Sequence, residues 1–261
     1  MNYENRIVCF LDILGFQKLI NSTVNGGNKD NIDEIKKLSE AITDLRYFVQ
    51  PPERNEEKTS KQITQFSDCI VFSFLISEKS HVFYTLLEIQ WILINLVSKA
   101  ILCRGGIGIG KLIHTNKLLF GPALIDAYHY ESKCANYPRV IVPEEIISIG
   151  KKYGGKQNSP DEEEMYIRER LGKDSDGMYY VDYFRSIKTE LDHPYYDYPQ
   201  YLQKLSKIIA NGLLFKDPAI KIKYLWMKEK YNSVVKELKS HLHNLNDDPE
   251  TKAIYESLAL F

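Results

Sequence analysis

The run from Ile7 to Leu11 constrains this chain more than any other segment. Five consecutive apolar, β-prone residues leave no polar face to turn toward water. They demand a central strand covered on both sides rather than a surface helix or an edge strand. The run then meets Asp12 and Gly15, where a turn is expected, with a short helix starting near Phe16.

The covering layers are legible further on. Asp33 to Val49 carries Ile35, Leu38, Ile42, Leu45 and Phe48 at helical spacing and stops before Pro51 and Pro52. The charged, proline-rich stretch 51–61 reads as an exposed loop. Gln62 to Phe66 and Ile70 to Phe74 flank Ser67 and Asp68 as a hairpin with the acid at its tip. His81 to Leu102 has the wide apolar face of a helix packed on a sheet. Ile107 to Ile113 and Lys117 to Phe120 form another strand pair, Pro122 opens a helix running to about Cys134, and Val140 to Val142 is a further strand. This alternation implies a mixed sheet backed by helices, an α+β fold. After Pro143 the composition shifts. Lys151 to Asp176 is expected to be a loop, followed by a strand at Met178 to Asp182 and two or three helices, one over Lys221 to Leu238. The organisation expected is a domain over 1–145 and a C-terminal extension over 146–261.

The 261 residues hold 34 Lys and Arg against 35 Asp and Glu, a net charge of −1. No global field favours a nucleic acid or an anionic membrane, and neither is an expected partner. Cys9, Cys69, Cys103 and Cys134 fall singly inside apolar stretches, as reduced core residues do. MNYENRIVCF lacks a secretory cleavage pattern, and Trp91 to Leu102 is too short and too polar to span a bilayer, so a soluble, cytoplasmic protein is expected.

Three stretches can carry chemistry. In FLDILGF, residues 10–16, an acid ends a strand and a glycine turns the chain into a helix, where backbone N–H groups can meet a triphosphate and Asp12 a divalent ion. Asp12 serves equally well as a turn or cap residue. In TQFSDCIVFSF, residues 64–74, Asp68 can be a plain hairpin aspartate. Together the two acids can share one or two metal ions, as phosphoryl transfer requires. In RGGIGIG, residues 104–110, the glycines allow close approach of another backbone; with no Gly-Lys-Ser or Gly-Lys-Thr following, the segment is not a P-loop. Arg104 suits a phosphate or base carbonyl, or simply a helix C-terminus. His114 reads as a packed or exposed polar residue, and Glu131 and Lys133 as a solvated helix face. Asp174 and Asp176 lack the ligand ladder of a calcium loop. Tyr195, Tyr196, Tyr198 and Tyr201 have no basic stripe beside them and read as packing residues.

FLDILGF, FSDCI, RGGIGIG and FGPALIDAYHYE, in this order, resemble the class III nucleotidyl cyclases over about residues 5–145. The resemblance implies a palm-like, ferredoxin-related sheet and a site shared across a head-to-tail homodimer. It implies metal binding, as two Mn2+ or Mg2+ ions, by Asp12, the Ile13 carbonyl and Asp68. It also implies that the N–H groups of Leu14, Gly15 and Phe16 cradle the triphosphate. Thr64 and Leu118 stand where purine cyclases carry a base-reading polar pair, and Ile125 and His129 stand where many carry an asparagine and an arginine. The same combination resembles the pyrimidine cyclases of Pycsar anti-phage systems. That implies a UTP or CTP substrate, a cyclic UMP or cyclic CMP product and a separately encoded effector, with Thr64 and Arg104 among the nucleotide-binding residues. A catalytically silent cyclase-like module that binds nucleotide or a partner protein is the alternative. A palm-type polymerase or dinucleotide synthetase is a third reading, disfavoured by the lack of its characteristic hairpin.

Overall fold

A computed structural model describes residues 2–50, 59–191, 193–241 and 249–261. Of the loop expected at 51–61, residues 51–58 lie outside the described residues. Contacts divide the chain into two compact units, 1–181 and 182–261.

The first unit is built on β1 (Glu4–Ile13), which pairs antiparallel with β5 (Cys69–Leu75) on one side and β6 (Cys103–His114) on the other. Outward from β5 lies β4 (Gln62–Phe66). Outward from β6 lie β8 (Val140–Val142), β10 (Tyr179–Val181) and β9 (Leu171–Lys173). β6 and β8 run parallel and the other pairs antiparallel, so the sheet is mixed. A short β7 (Leu119–Phe120) folds back on the end of β6. β1 is longer than its apolar run, and Asp12 lies inside the ladder, opposite Cys69 and Arg104.

Alternation along β1 separates two faces. Ile7, Cys9, Leu11 and Ile13 are all buried on the first. Over them lie α2 (Ile32–Val49) and α3 (His81–Ser98), whose Glu88 pairs at 2.5 Å with Lys61. Lys61 in turn sits over the Phe72 ring. Among the described residues α3 is the one helix long and apolar enough to cross a membrane; here Val82, Leu86, Ile89, Leu93 and Val97 are buried in the core. It ends sooner than expected, because Ala100 takes a left-handed conformation (φ 58°) and leads the chain into β6.

The second face carries Arg6, Val8, Phe10 and Asp12, and α4 (Pro122–His129) lies across it over β6 and β1. Two glycines make that approach possible. A methyl on Gly108 would run into the Ala123 carbonyl, and one on Gly106 into Tyr130 and the Ala127 carbonyl. α4 continues as a π-helical turn, Tyr130–Cys134, closed by the Ala135 N–H donating to the Tyr130 carbonyl at 2.8 Å. Small residues at Ala123 and Ala127 thus nest on a glycine strand, with Val8, Val71 and Leu112 completing the contact.

Elsewhere the chain departs from expectation in two places. After α1 (Phe16–Ser22) a small hairpin, β2 (Val24–Asn25) and β3 (Lys29–Asp30), turns through Gly26 and Gly27, and its Asn-Gly-Gly-Asn sequence is a hairpin signal in its own right. α5 (Glu145–Lys152) follows β8, and 151–176 is not a loop throughout: it contains α6 (Pro160–Glu169) and β9. The Ser159 side chain accepts from the Glu162 N–H while Glu162 accepts from the Ser159 N–H, and Pro160 opens the helix. The acidic run Asp161 to Glu164 is therefore the favoured first turn of a helix, not a loop marker. Arg139, fully buried, holds Asp174 at 2.6 Å and also pairs with Asp176, so those acids close a turn.

The second unit holds a 3-10 turn (Ser186–Glu190), α7 (Pro194–Leu213), α8 (Pro218–His241) and α9 (Pro249–Ser257). Buried Tyr198 and Tyr201 donate to the carbonyls of Phe184 and Tyr183 at 2.7 and 2.9 Å, which makes them packing residues.

The glycine contacts carry a direct expectation. Gly108→Ala should lower the free energy of unfolding by about 1–3 kcal/mol, the usual cost of overpacking, measured by urea denaturation. A variant as stable as the parent would show that α4 does not rest on β6.

Candidate functional site

The ladder brings the two sequence-predicted acids together. Asp12 lies directly opposite Cys69, the residue after Asp68. The Ile13 N–H donates to the Asp68 carbonyl at 3.3 Å, tying the hairpin tip to the end of β1. Ser67, at that tip, has a left-handed backbone (φ 54°). Ile13 buries its side chain on the opposite face, so only its backbone can serve the site.

A third acid, Glu131, joins them. The sequence predicts a solvated helix face for it, but it is 2% exposed and turned against Arg104. A signal is present: Ala123, Ala127 and Glu131 recur every fourth residue, the stripe that faces Gly106 and Gly108. Arg104 sits in β6, neither at a helix end nor free. Its Nε lies 2.7 Å from Glu131 Oε1 and 3.7 Å from Asp12 Oδ2. The 2.7 Å pair is an ion contact without hydrogen-bond alignment, because the N–H does not point at the oxygen and both atoms are buried without a hydrogen bond.

Two carboxyls therefore face one guanidinium, and a third, that of Asp68, adds its charge beside Asp12. Burial, then the charges of Glu131 and Asp68, push the Asp12 carboxyl from 3.8 up to about 7, against the opposing pull of Arg104. Burial also raises Glu131, partly offset by Arg104. The charges of Glu131 and Asp68 therefore favour keeping a proton on Asp12. Burial and the charges of Asp68 and Asp12 raise Cys69 as well, so it is a thiol rather than a thiolate nucleophile.

An excess of negative charge with an unaligned arginine is a donor set that fits a divalent cation, with oxygen ligands of the hard type. Among the described residues no group of three or more His, Cys, Asp or Glu side chains closes into a metal cage. Asp12 and Asp68 can supply two ligands to an ion whose remaining positions are filled by backbone, water or a substrate's phosphates.

The turn that follows is only partly available. Gly15 is left-handed (φ 74°) in open space, so glycine is required there for conformation. The Leu14 N–H donates to the Leu102 carbonyl at 2.8 Å, which removes it from the expected phosphate cradle. Gly15 and Phe16 keep the role open, since the first N–H groups of α1 have no partner within the helix. Thr64, on β4, is half-buried on the same sheet face as Asp12, with its hydroxyl 3.0 Å from His114 Nε2. Leu118, Ile125 and His129 are all exposed, the last two on α4.

No family model and no curated protein sequence matches this chain. Among solved structures it is similar to a bacterial light-regulated adenylyl cyclase, at 15% identity over 56% of this chain and 79% of that one, with a TM-score of 0.39. It is also similar to the adenylyl cyclase CyaB from P. aeruginosa, at 13% identity over 69% and 94%, with a TM-score of 0.44.

The shifted carboxyl has a measurable sign. Asp12 holds its proton to about pH 7 when folded but only to 3.8 otherwise, so between those values the folded chain binds more protons. Its contribution to stability is therefore greatest below about pH 4, falls as pH rises to about 7 and is flat above. In metal-free buffer Asp12→Asn should remove that decline from the urea midpoint, and an unchanged slope would place the proton elsewhere.

Proposed function

We propose that this chain is a metal-dependent nucleotidyl cyclase acting on a pyrimidine nucleoside triphosphate. The observation that carries the reading is the meeting of Asp12 and Asp68 at one end of a half-open sheet face, with Glu131 and Arg104 beside them. The order of the motifs and their resemblance to class III cyclases support it.

In this reading Asp12 and Asp68 would hold Mn2+ or Mg2+, aided by the Ile13 carbonyl. When bound, such ions lower the pKa of the ribose 3′ hydroxyl and neutralise charge on the phosphates. Asp12 and Asp68 fix where the triphosphate lies, and the Gly15 and Phe16 N–H groups add donors to its oxygens. Arg104 would offer a planar cation to a phosphate. The 3′ oxygen bonds to the α-phosphorus as the bond to the bridging oxygen of pyrophosphate breaks, and the hydroxyl proton passes to solvent. Alignment of the attacking oxygen supplies most of the advantage. The products are a 3′,5′-cyclic nucleotide and pyrophosphate.

The pyrimidine assignment is supported by Thr64 and Leu118, neither of which restores the polar pair of a purine reader. On the same resemblance the cyclic UMP or cyclic CMP acts in anti-phage defence through a separately encoded effector, in the cytoplasm. A homodimer completes the site: Phe66, on the face that bears Asp12, and Ile125 and Tyr128, on the helix that flanks it, are exposed large apolar residues, and a second copy of the chain is the proposed cover. Exposed Ile125 and His129, in place of an asparagine and an arginine, favour the silent binding module as second reading.

Purified protein with manganese and each of ATP, GTP, CTP and UTP should release a cyclic pyrimidine nucleotide, identified by mass spectrometry. Asp12→Ala and Asp68→Ala should each lower turnover by about 10²-fold or more while folding normally. Full metal-dependent activity in either variant would refute the roles of both acids. Ile125→Asp with Tyr128→Asp should sediment as a monomer and lose turnover together; an active monomer would remove the dimeric site.

A further inference from the structure

Behind Thr64 lies a polar chain that crosses the sheet face. Arg6 Nη1 donates to Ser73 Oγ at 3.1 Å, Ser73 Oγ lies 2.8 Å from His114 Nδ1, and His114 Nε2 lies 3.0 Å from Thr64 Oγ1. Arg6, Ser73 and His114 are buried and Thr64 is the chain's half-exposed end. A buried relay with one end at the surface sets which way that end points its proton.

The direction follows from the inventory of donors. A guanidinium only donates, so Ser73 Oγ accepts from Arg6. Arg6 Nη1 is further held by the Ser60 carbonyl at 2.9 Å and the Ser73 carbonyl at 3.4 Å. The Ser73 hydroxyl proton, in a residue with no exposed surface, has His114 Nδ1 as its acceptor. Nδ1 is then unprotonated and Nε2 carries the imidazole proton, which it donates to Thr64 Oγ1. Burial and the nearby Arg6 charge hold this imidazole neutral, with its pKa down at about 4. Thr64 Oγ1 accepts from the relay, and its own O–H remains to donate outward.

What that hydroxyl meets follows from the register, on the reading that a nucleoside triphosphate has its phosphates at Asp12 and Asp68. Thr64 is opposite Val71, two residues from Cys69, which is opposite Asp12. That is roughly 7 Å along the strands and roughly 10 Å across two strand spacings. The span matches the reach from the phosphates to the far edge of a base, beyond the 2-carbonyl that lies next to the ribose. At the far edge uracil presents a carbonyl oxygen and cytosine an amino group. We propose that His114, held by Ser73 and Arg6, is a positioning residue that fixes Thr64 as a hydrogen-bond donor, so that the site takes a uracil nucleotide over a cytosine one.

The α,β-methylene analogues of UTP and CTP, whose P–C–P linkage cannot release pyrophosphate, test this by titration calorimetry with magnesium, beside product analysis with the true nucleotides. The uracil analogue should bind the parent protein at least about tenfold tighter, one hydrogen bond's worth. Thr64→Val and Ser73→Ala should each bring the two within about threefold, whereas Thr64→Ser, which keeps the hydroxyl, should retain the preference. A general loss of structure would weaken both analogues alike, leaving the ratio in place. Equal binding, a cytosine preference, or a ratio unchanged in both Thr64→Val and Ser73→Ala overturns the inference, as does failure of both analogues to bind. A uracil preference in binding without cyclic product from any nucleotide would sink the cyclase reading and leave this inference standing. A cyclic product formed without discrimination would do the reverse.

Discussion

The pairing of β1 with both β5 and β6 is the constraint on which the rest depends. A strand flanked on both sides, with Ile7, Cys9, Leu11 and Ile13 sealed under helices, cannot slip by one residue without turning its buried set into the other layer. That fixed register places Asp12 opposite Cys69 and Arg104, and so beside Asp68. Asp12 is held by the backbone ladder and Asp68 by the turn tied to it, which is why charge can accumulate there without the local structure giving way.

The two faces of the sheet are used differently. One is closed by α2 and α3 and holds most of the large apolar core. The other is closed over β6 by α4, where glycines let helix and strand approach, and is left partly open toward β4 and β5, where Phe66 and Thr64 reach the surface. A protein needs such an asymmetry to combine a rigid base with an accessible site. The glycine strand serves this economy, since every side chain omitted from β6 brings α4, and with it Glu131, closer to Asp12.

Much of this was legible in the residues. The central strand, the hairpin with Asp68 at its tip, the helices under the sheet and the α4 segment follow from unbroken apolar runs, turn residues and helical stripes, because in each the local preference agrees with the tertiary layer. The helix at 160–169 was hidden by its own acidic first turn, which composition reads as loop and helix capping reads as a start. Glu131 and the fate of the Leu14 N–H were not legible. Burial of a glutamate depends on what a glycine strand leaves room for, and an amide's partner on how a distant part of the chain returns on its approach to β6, neither of which local spacing encodes. The Thr64 to Arg6 chain is of the same kind, since its members come from four separate strands.

The proton that Asp12 holds has a consequence for anything that binds there. Near neutrality the empty cluster is partly protonated, and a cation taking its place between Asp12 and Asp68 must expel what remains. On the proposed reading, uptake of a cation would be an exchange for hydrogen ions, its affinity climbing with pH across the same interval in which the metal-free protein loses stability. The two slopes are one linkage: the free energy that the metal-free fold gives up as Asp12 loses its proton is the free energy by which a cation there would bind more tightly.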